Sequence, residues 1–599
     1  MILQALNRYY DRLVEAGTLE RIGWQPVKIS YALQIDDAGQ LLRVLPLIHE
    51  EERGKKNVMV PQIMNVPAQA KRAVGIVSNF LCDNSSYILG IDAKGKPERS
   101  IKCFQACREL HEEILGPLDS MPGHAVVRFF QNWNPNRASE VDALVPYLEE
   151  ILKGANLVFD YRNRFVQEYP EIQEVWDKRY GSSNETVKMR CLVTGEESTF
   201  ARLHPTIKGV NGGQSSGTSL VSFNAPAFES FGRDGGQGSN APVSEKAAFA
   251  YGAALNYMIA ERGHHIRLSD TTIVFWAEHG EDGYALQFSG MMGEDTGLSE
   301  DDLFTALNHL ANGRNAFLNN YELNPDEHFY ILGLAPNAAR LSVRFFLQDS
   351  FGVFARNLLK HHERLEIIKP VYDNRISLSF WHIMNETVNQ KSRDKTPSPL
   401  LTGSLIRSVL MNQPYPRLLM DQIEIRIRAE REVNRGRAAI IKAYLLRESE
   451  NGSLSSYSKE ALSVELNNET TYQPYLLGRL FAVLEGLQLA ANPGINSTIR
   501  DRYFNSACAT PSVIFPQLIK LAQAHLKKVG GGLEKTYNAK IGSIMEKIGE
   551  SYPARLNLYD QGIFQLGYYH QSQARYVKKE TKYAAYRAAV SQNPKSADS

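Results

Sequence analysis

The sequence predicts a multi-domain α+β protein in which a mixed α/β N-terminal body precedes a C-terminal α-helical bundle. The chain of 599 residues is too long for one hydrophobic core. Up to about residue 350 it mixes extended stretches with amphipathic helices, without regular βαβ alternation. Helical patterns joined by short links then dominate. We therefore predict a body over residues 1–395, a helical connecting region over 396–470 and a basic bundle over 471–599.

The predicted body begins with an amphipathic helix over residues 1–20, where apolar side chains recur at helical spacing. SYILGID, residues 86–92, is predicted to be a strand, and a helix is expected from Ser100 to about Ile114. Three earlier segments also have an extended pattern: VKISYALQID, LLRVLPLIHE and NVMVPQI.

The later part of the body contains clearer signals. The stretch from Val243 to Gly263 predicts a helix with Ser244 as its N-cap and Gly263 as its stop. TTIVFWAE predicts a buried strand, and HFYILGLAPNAARLSVRFFLQDS predicts two strands around a Pro-Asn turn.

The remaining chain is predicted to be helical. RLLMDQIEIRIRAEREVNRGRAAIIKAYLLRE forms one long, Arg-rich pattern that weakens near Gly436. Further helical patterns lie near residues 475–491, 498–508, 512–528, 533–549 and 571–590.

The net charge of +1 conceals an asymmetry along the chain. Residues 471–599 hold 16 Lys and Arg against 8 Asp and Glu, a net charge of +8. A basic module of this kind suits a polyanionic partner, although a merely solvated basic surface is the alternative. The sequence contains no apolar run long enough for a membrane span and no secretory signal, and its five cysteines suit reduced thiols. We therefore expect a cytoplasmic protein.

The segment Gly213–Gly217 reads G-Q-S-S-G and matches the nucleophile elbow of serine hydrolases, with Ser215 as the nucleophile. An elbow needs an apolar strand before the serine and a helix after it, and neither is predicted here. The alternative is a loop whose glycines permit close approach to a phosphate or a base edge. Its polar residues are Lys208, Asn211, Gln214, Ser215, Ser216 and Asn224.

Cys103, Cys107 and His111 follow one another at four-residue spacing along a predicted helix. The ends of this series are about 12 Å apart, so the three side chains cannot converge on one tetrahedral ion. We expect a buried helix face, with no metal and no cofactor.

Three other polar segments are candidates for nucleic-acid contact. Their alternative interpretations are a solvated hairpin edge, an ion-paired helix surface and packed tyrosines, respectively. The candidate residues are Lys71, Arg72, Asn79 and Asn84 in the first segment, Arg426, Arg428 and Arg435 in the second, and Arg575, Lys578 and Lys579 in the third.

Several motifs together resemble the large subunit of the type I-C CRISPR interference complex, Cascade. These motifs are MILQALNRYYDRL, NFLCDN followed by YILG, CLVTGEESTFARLHPTIKGVNGGQSSGTSLVSFNAPAFESFG, NAPVSEKAAFAYGAALNYMI, YLLGRLFAVLEGLQ and GYYHQSQARYVKK. The resemblance covers essentially the whole chain.

The resemblance implies a non-enzymatic subunit that recognises the protospacer-adjacent motif in duplex DNA, helps to open the duplex and stabilises the displaced single strand. The implied partners are CRISPR RNA, the backbone and handle-binding Cascade subunits, a small subunit and a separate helicase-nuclease. It also implies that the C-terminal bundle is similar to that small subunit. A serine hydrolase and a purely scaffolding RNA–protein subunit remain the alternatives.

Overall fold

The computed structural model describes residues 1–53, 56–69, 76–92, 97–180, 187–223, 225–228, 236–279, 283–318, 321–370, 372–375, 377–452 and 459–574. The chain forms two compact units. The first comprises Met1–Ile207 and Ser219–Tyr257, and the second comprises Lys208–Thr218 and the chain from Met258 onward. The α+β class is as predicted, while the boundaries at 395/396 and 470/471 remain predictions.

The first unit combines short strands with seven helices among the described residues. Its helices are α1 (Ile2–Glu15), α2 (Ser85–Ile88), α3 (Pro97–Leu115), α4 (Met121–Asn132), α5 (Leu148–Leu152), α6 (Pro170–Tyr180) and α7 (Glu245–Ala260), whose last turn passes into the second unit. Its strands are β1 (Trp24–Ile29), β2 (Tyr31–Ile35), β3 (Leu41–Pro46), β4 (Ile48–Arg53), β5 (Lys56–Pro67), β6 (Cys82–Asn84), β7 (Asn156–Tyr161), β8 (Arg164–Phe165), β9 (Lys188–Arg190), β10 (Glu197–Thr199) and β11 (Thr206–Ile207).

Two sheets organise the first unit. One has the order β3-β2-β7-β6, with β8 paired to β7, and β2 and β7 run parallel. The other is the antiparallel sheet β1-β5-β4. Strand β2 is buried along its whole length, and aromatic side chains from α4 and β7 pack in the same core, among them Phe129, Phe130 and Phe159.

The prediction of a strand over residues 86–92 is wrong. The strand ends at Asn84, whose side-chain oxygen accepts a hydrogen bond from the backbone N–H of Ser86 at 3.0 Å. This N-cap satisfies an N–H that would otherwise lack a partner, and it starts the short helix α2. An asparagine able to cap therefore overrides the extended pattern of the residues that follow.

An antiparallel sheet of order β18-β17-β14-β13 lies at the centre of the second unit. Strand β14 (Thr271–Ala277) is buried throughout, as predicted for TTIVFWAE. The predicted strand pair is also confirmed, since β17 (His328–Asn337) and β18 (Arg340–Ser350) are antiparallel neighbours. The other strands are β12 (Thr218–Ser219), which begins at the end of the first segment of this unit, β13 (His265–Leu268), β15 (Ala316–Leu318) and β16 (Tyr321–Leu323).

Helices make up the rest of the second unit. They are α8 (Gly283–Met291), α9 (Glu300–Ala311), α10 (Phe351–Leu365), α11 (Phe380–Glu386), α12 (Pro399–Leu410), α13 (Arg417–Glu430), α14 (Arg435–Glu450), α15 (Gln473–Ala491), α16 (Ile499–Ala509), α17 (Pro511–Val529), α18 (Gly531–Ile548) and α19 (Leu558–Gln573). Four bundle helices match their predicted ranges closely. The predicted helix over 571–590 lies mostly outside the described residues.

The predicted long Arg-rich helix is two helices. Helix α13 ends at Glu430, and Arg431 adopts a left-handed conformation with φ of 55°. Asn434 then caps α14 by accepting the backbone N–H of Arg437 at 2.9 Å. The break precedes Gly436, and a Cβ at Gly436 would lie 2.6 Å from a carboxylate oxygen of Glu386. That glycine therefore leaves room for the side chain of Glu386 at the beginning of α14.

Helices α15 and α19 meet at a contact that only glycine allows. A Cβ on Gly478 of α15 would collide with the backbone carbonyl of Phe564 in α19. The contact is reciprocal, since a Cβ on Gly567 of α19 would collide with the backbone carbonyl of Tyr475 in α15. Both glycines lie in the motifs YLLGRLFAVLEGLQ and GYYHQSQ, so these two motifs pack directly against each other.

We expect the substitution Gly478→Ala to lower the free energy of unfolding of the second unit by about 3 kcal/mol, because the added methyl group must push two helix backbones apart. Gly542→Ala is the matched control, since a Cβ on Gly542 in α18 meets open space and alanine favours a helix. Chemical unfolding followed by far-UV circular dichroism measures both effects. Equal stability of the two variants would contradict this account of the helix contact.

The side chain of His111 is a fully buried structural element of the first unit. Cys103, Cys107 and His111 all lie on the buried face of α3, as expected. Nε2 of His111 accepts the backbone N–H of Leu81 at 2.9 Å, and Nδ1 lies 2.7 Å from the carbonyl oxygen of Cys107. Burial lowers the pKa of His111 from its ordinary value to about 4. The ring is therefore neutral, with its proton on Nδ1.

The first unit should lose stability when the pH falls. Between pH 6.5 and 4 the unfolded chain binds a proton at His111 that the folded chain does not bind, so acidification favours unfolding by about 3 kcal/mol across that window. His111→Gln should reduce this acid-dependent loss by a similar amount. Hydrogen–deuterium exchange of the α3 amides at pH 7 and pH 4.5, corrected for intrinsic exchange, measures it. An unchanged pH dependence in the variant would show that His111 is not responsible.

Candidate nucleic-acid interface

The Gly-rich loop, residues 208–218, is held firmly at its N-terminal side by the sheet of the second unit. The backbone N–H of Asn211 donates to Oγ1 of Thr272 in β14 at 3.0 Å. The side-chain amide of Asn211 donates to the carbonyl of Ser269, and the guanidinium of Arg267 donates to the carbonyl of Gly209 at 3.3 Å. These bonds fix the position at which the rest of the loop begins.

The remainder of the loop is two tight turns whose polar side chains face solvent. The N–H of Gly213 donates to the carbonyl of Val210 at 3.0 Å, and the N–H of Gly217 donates to the carbonyl of Gln214 at 2.9 Å. Gly212 and Gly217 have φ of 73° and 100°, which favours glycine. The side chains of Lys208, Gln214, Ser215 and Ser216 are exposed. The loop therefore presents one cation, one amide and two hydroxyls on a fixed base.

One cation not predicted from the sequence contacts this loop, and others lie on segments that a hydrogen bond or an ion pair joins to the turn at Ser269 and Asp270. Arg267, which binds the loop backbone, is exposed, and Arg344 in β18 forms an ion pair with Asp270 at 3.0 Å. Ser269 accepts from Asn211 and donates through Oγ to the carbonyl of Pro397 at 2.8 Å. That bond brings the chain just before α12 to the loop. The exposed cations of this segment are Lys391, Arg393 and Lys395.

The described candidates of the first unit have structural contacts. Asn79 is buried, and its backbone N–H donates to a carboxylate oxygen of Asp83 at 3.0 Å. Asn84 uses its side-chain oxygen to cap α2. Three further candidates lie outside the described residues: Lys71, Arg72 and Asn224.

The three arginine candidates of the connecting region differ in exposure. The side chain of Arg435 is only 7% exposed and contacts Asp373 at 3.0 Å. Arg426 is largely buried and lies 3.5 Å from Glu430. Arg428 is half-exposed and donates to Oε1 of Gln561 at 2.9 Å. Arg575, Lys578 and Lys579 lie outside the described residues.

Arg435 belongs to a buried ionic cluster. Hydrogen bonds and charge from Arg375 and Arg435 overcome the effect of burial and hold the pKa of Asp373 well below its usual range. The neighbouring Arg437 is 3% exposed and pairs with Glu386 at 3.2 Å and with Glu430. These arginines connect the segment before α11 and the ends of α11 and α13 to the beginning of α14.

The bundle helices α17 and α18 carry exposed cations. None of these side chains is among the candidates predicted from the sequence, although the net charge of the module pointed to this region. They are Lys520, Lys527, Lys528, Lys535, Lys540 and Lys547.

The surroundings of Ser215 do not resemble a nucleophile elbow. Ser215 lies in a turn, with only the two-residue strands β11 and β12 nearby in sequence and no helix directly after it. Over the described parts of the chain, the side chain of Ser215 has no hydrogen bond to a histidine or carboxylate. The strand–turn–helix geometry that an elbow requires is therefore missing.

The described residues contain no group of three or more His, Cys, Asp or Glu side chains arranged to hold a metal ion. None of the helices in this part of the chain has both the length and the apolar character to cross a bilayer.

The substitution Arg435→Met should lower the free energy of unfolding of the second unit by about 3 kcal/mol, because the buried carboxylate of Asp373 loses one of its two cationic partners. Arg417→Met in α13 is the control and should cost less than about 1 kcal/mol, since Arg417 and its partner Asp421 are both largely exposed. Urea unfolding of both variants provides the comparison. A wild-type midpoint for Arg435→Met would contradict a structural role for this arginine.

Comparison with known proteins gives one assignment for nearly the whole chain. The model of the family described as CRISPR-associated protein (Cas_Csd1) matches residues 6–576. A search of curated proteins found no match. The matched range includes the Gly-rich loop, the helices α15 and α19 that pack through their glycines, and the candidate arginines of the connecting region. The chain therefore belongs to the CRISPR-associated Cas_Csd1 family, which supports a Cascade-type subunit.

Proposed function

We propose that this chain is the large subunit of a type I-C Cascade complex and that it recognises the protospacer-adjacent motif in duplex DNA. The observation that carries this proposal is the Gly-rich loop, which holds exposed amide and hydroxyl groups and Lys208 on a sheet-anchored base that Arg267 contacts. Membership of the CRISPR-associated family supports a nucleic acid as the polyanionic partner of this loop.

The chemistry of the loop suits the reading of a short duplex motif. Base edges are distinguished by paired donors and acceptors, which the amide of Gln214 and the hydroxyls of Ser215 and Ser216 supply. Phosphates are neutralised by cations and fix the register of the protein on the duplex, a role for Lys208 and Arg267. In this proposal the protein reads the short motif, while pairing with CRISPR RNA reads the long target sequence.

The remaining steps assigned to the subunit are binding steps rather than chemical ones. The protein helps to open the duplex, stabilises the displaced single strand and recruits a separate helicase-nuclease. The lysines exposed on α17 and α18 supply charge for backbone contact with a single strand. Its partners are CRISPR RNA, the target DNA, the backbone and handle-binding subunits and a small subunit. The protein itself is not an enzyme.

The test compares target duplexes that carry either an intact or a scrambled adjacent motif, bound at fixed salt by the chain co-assembled with its backbone subunits and a CRISPR RNA. Wild-type complex should prefer the intact motif, and replacement of Gln214, Ser215 and Ser216 by alanine should reduce that preference by about tenfold or more. Lys208→Ala should instead weaken binding to both duplexes by a similar factor, because a phosphate contact carries no sequence information.

A double substitution, Thr305→Ala with Asn312→Ala, is the matched control, since both residues are exposed polar residues of α9 and its C-cap. It should leave the preference unchanged. Motif-independent binding by the wild-type complex would contradict the proposal and leave a scaffolding subunit. Reaction of Ser215 with a fluorophosphonate probe, lost in Ser215→Ala, would instead favour the hydrolase.

A further inference from the structure

Residues 389–397, which lie between α11 and α12 and are called the cationic segment below, carry three exposed cations. Positions 389–396 read NQKSRDKT and include no apolar side chain. The side chains of Lys391, Arg393 and Lys395 are exposed, and within the described part of the chain none of them forms an ion pair or a side-chain hydrogen bond. Their charge is therefore available to a partner molecule.

Hydrogen bonds hold the backbone of the cationic segment in a defined shape. Oδ1 of Asn389 accepts the backbone N–H of Lys391 at 3.0 Å. Oδ1 of Asp394 accepts the backbone N–H of Thr396 at 2.8 Å. Turns of this kind, in which a side chain bonds the backbone two residues on, restrict the local conformation. The cations are thus already positioned, which lowers the conformational entropy lost when a partner binds.

Ser269, in the turn between β13 and β14, joins the cationic segment to the Gly-rich loop. Its backbone carbonyl accepts the side-chain amide of Asn211 in the loop, and its Oγ donates to the carbonyl of Pro397 at 2.8 Å. Lys395 is two residues before Pro397, so chain geometry keeps their Cα atoms within about 7 Å of each other. One residue therefore holds the loop through its main chain and the cationic segment through its side chain.

The composition of the cationic segment favours a phosphate backbone over a protein surface as its partner. Phosphates are contacted by Lys, Arg, Ser, Thr, Asn and Gln side chains, and seven of the eight residues 389–396 are of these types. Protein interfaces instead have an apolar core with aromatic anchors, which this segment lacks. A loop that reads base edges in a groove about 12 Å wide also has a sugar-phosphate strand on either side of it.

We propose that the cationic segment binds the sugar-phosphate backbone of duplex DNA beside the adjacent motif. Ser269 is the positioning residue that fixes the segment relative to the Gly-rich loop. These contacts contribute affinity and register but carry no sequence information. The inference rests on the proposed function in that it assumes that the loop meets duplex DNA.

The test measures binding of the full chain to a duplex without the adjacent motif, over a series of salt concentrations. Each phosphate contact that is lost should lower the slope of log affinity against log salt by about 0.9, which is the change expected for Lys395→Gln. Replacement of Lys391, Arg393 and Lys395 together by glutamine should lower the slope by about 2 to 3 and weaken binding by about tenfold or more.

Arg314→Gln is the matched control, because it removes one exposed cation that lies away from the Gly-rich loop. Arg314 follows α9, whose last turn packs against the beginning of α10. Helix α10 begins directly after Ser350, whereas the Gly-rich loop lies against Pro336, near the other end of the β17–β18 pair. The salt slope of this variant should equal that of the wild type.

The substitution Ser269→Ala tests the positioning role separately. It removes the bond to Pro397 but keeps the carbonyl that holds Asn211 and leaves all three cations in place. The salt slope should stay at the wild-type value because the same phosphates are neutralised, whereas affinity should fall about threefold because the segment must first be ordered. Unchanged affinity would overturn the positioning role of Ser269.

Three results would overturn the phosphate contact itself. The first is a wild-type salt slope in the triple variant. The second is unchanged DNA binding together with weaker assembly with the backbone subunits, which would assign the segment to a protein partner. The third is a slope that changes with single-stranded RNA but not with duplex DNA, which would assign the segment to the CRISPR RNA.

These results are separable from the test of motif recognition, because the duplex used here contains no motif. A lowered slope in the triple variant, found together with motif-independent binding by the wild-type complex, would preserve the phosphate contact and defeat the function proposed above. A wild-type slope in the triple variant, found together with a motif preference that depends on Gln214, Ser215 and Ser216, would defeat the phosphate contact alone.

Discussion

The close contact between α15 and α19 is the constraint on which the helical part of the protein depends. Helix α19 also packs against α13 and α14, since a Cβ on Gly562 would lie 2.9 Å from Met420 and 3.1 Å from Ile441. Two hydrogen bonds also hold α19 in place: Tyr568 donates to Glu485 of α15 at 2.6 Å, and Tyr569 donates to the carbonyl of Ile368, in the segment after α10, at 2.7 Å. A single C-terminal helix thus joins elements that are distant in sequence.

The contacts of α19 extend across the predicted boundary between the connecting region and the bundle. The sequence suggested an Arg-rich connecting region and a separate basic bundle, because each has its own composition. In the structure one hydrophobic cluster runs from the sheet of the second unit through α13 and α14 to α19. The exposed lysines of α17 and α18 therefore lie on helices of a bundle whose packing depends on α19 and on the glycines that let it approach α15.

Much of the fold was predictable from hydrophobic periodicity, and the failures have local causes. The apolar runs of the sequence correctly predicted the strands β14, β17 and β18, which are largely buried in the sheet. The serine before an apolar helical pattern correctly predicted the N-cap at Ser244. The strand expected over 86–92 failed because one side-chain hydrogen bond from Asn84 starts a helix. The Arg-rich helix is interrupted because Arg431 is left-handed and Asn434 caps the next helix. Such local bonds do not alter the periodicity of a sequence.

The candidate site was less predictable, because charge in a sequence does not reveal burial. Arg428 and Arg435 belong to one Arg-rich stretch, yet only Arg428 reaches solvent to any extent. Conversely, Lys395 lies in a polar, proline-containing segment of the sequence, and the bond from Ser269 to Pro397 joins that segment to the turn that binds the Gly-rich loop. Contacts between distant segments decided which cations lie beside that loop.

The same distinction separates two uses of positive charge in this protein. Arg435 and Arg437 are buried and form ion pairs with carboxylates of the same chain. These ion pairs stabilise the beginning of α14. Lys208 and Arg267, together with the lysines of α17 and α18, are exposed on elements that packing holds in place. A polyanion gains most from charges that are exposed and already positioned, because little conformational entropy is lost when it binds. The nucleic-acid contact proposed above is therefore better assigned, among the described residues, to these exposed cations than to the buried Arg435 and Arg437.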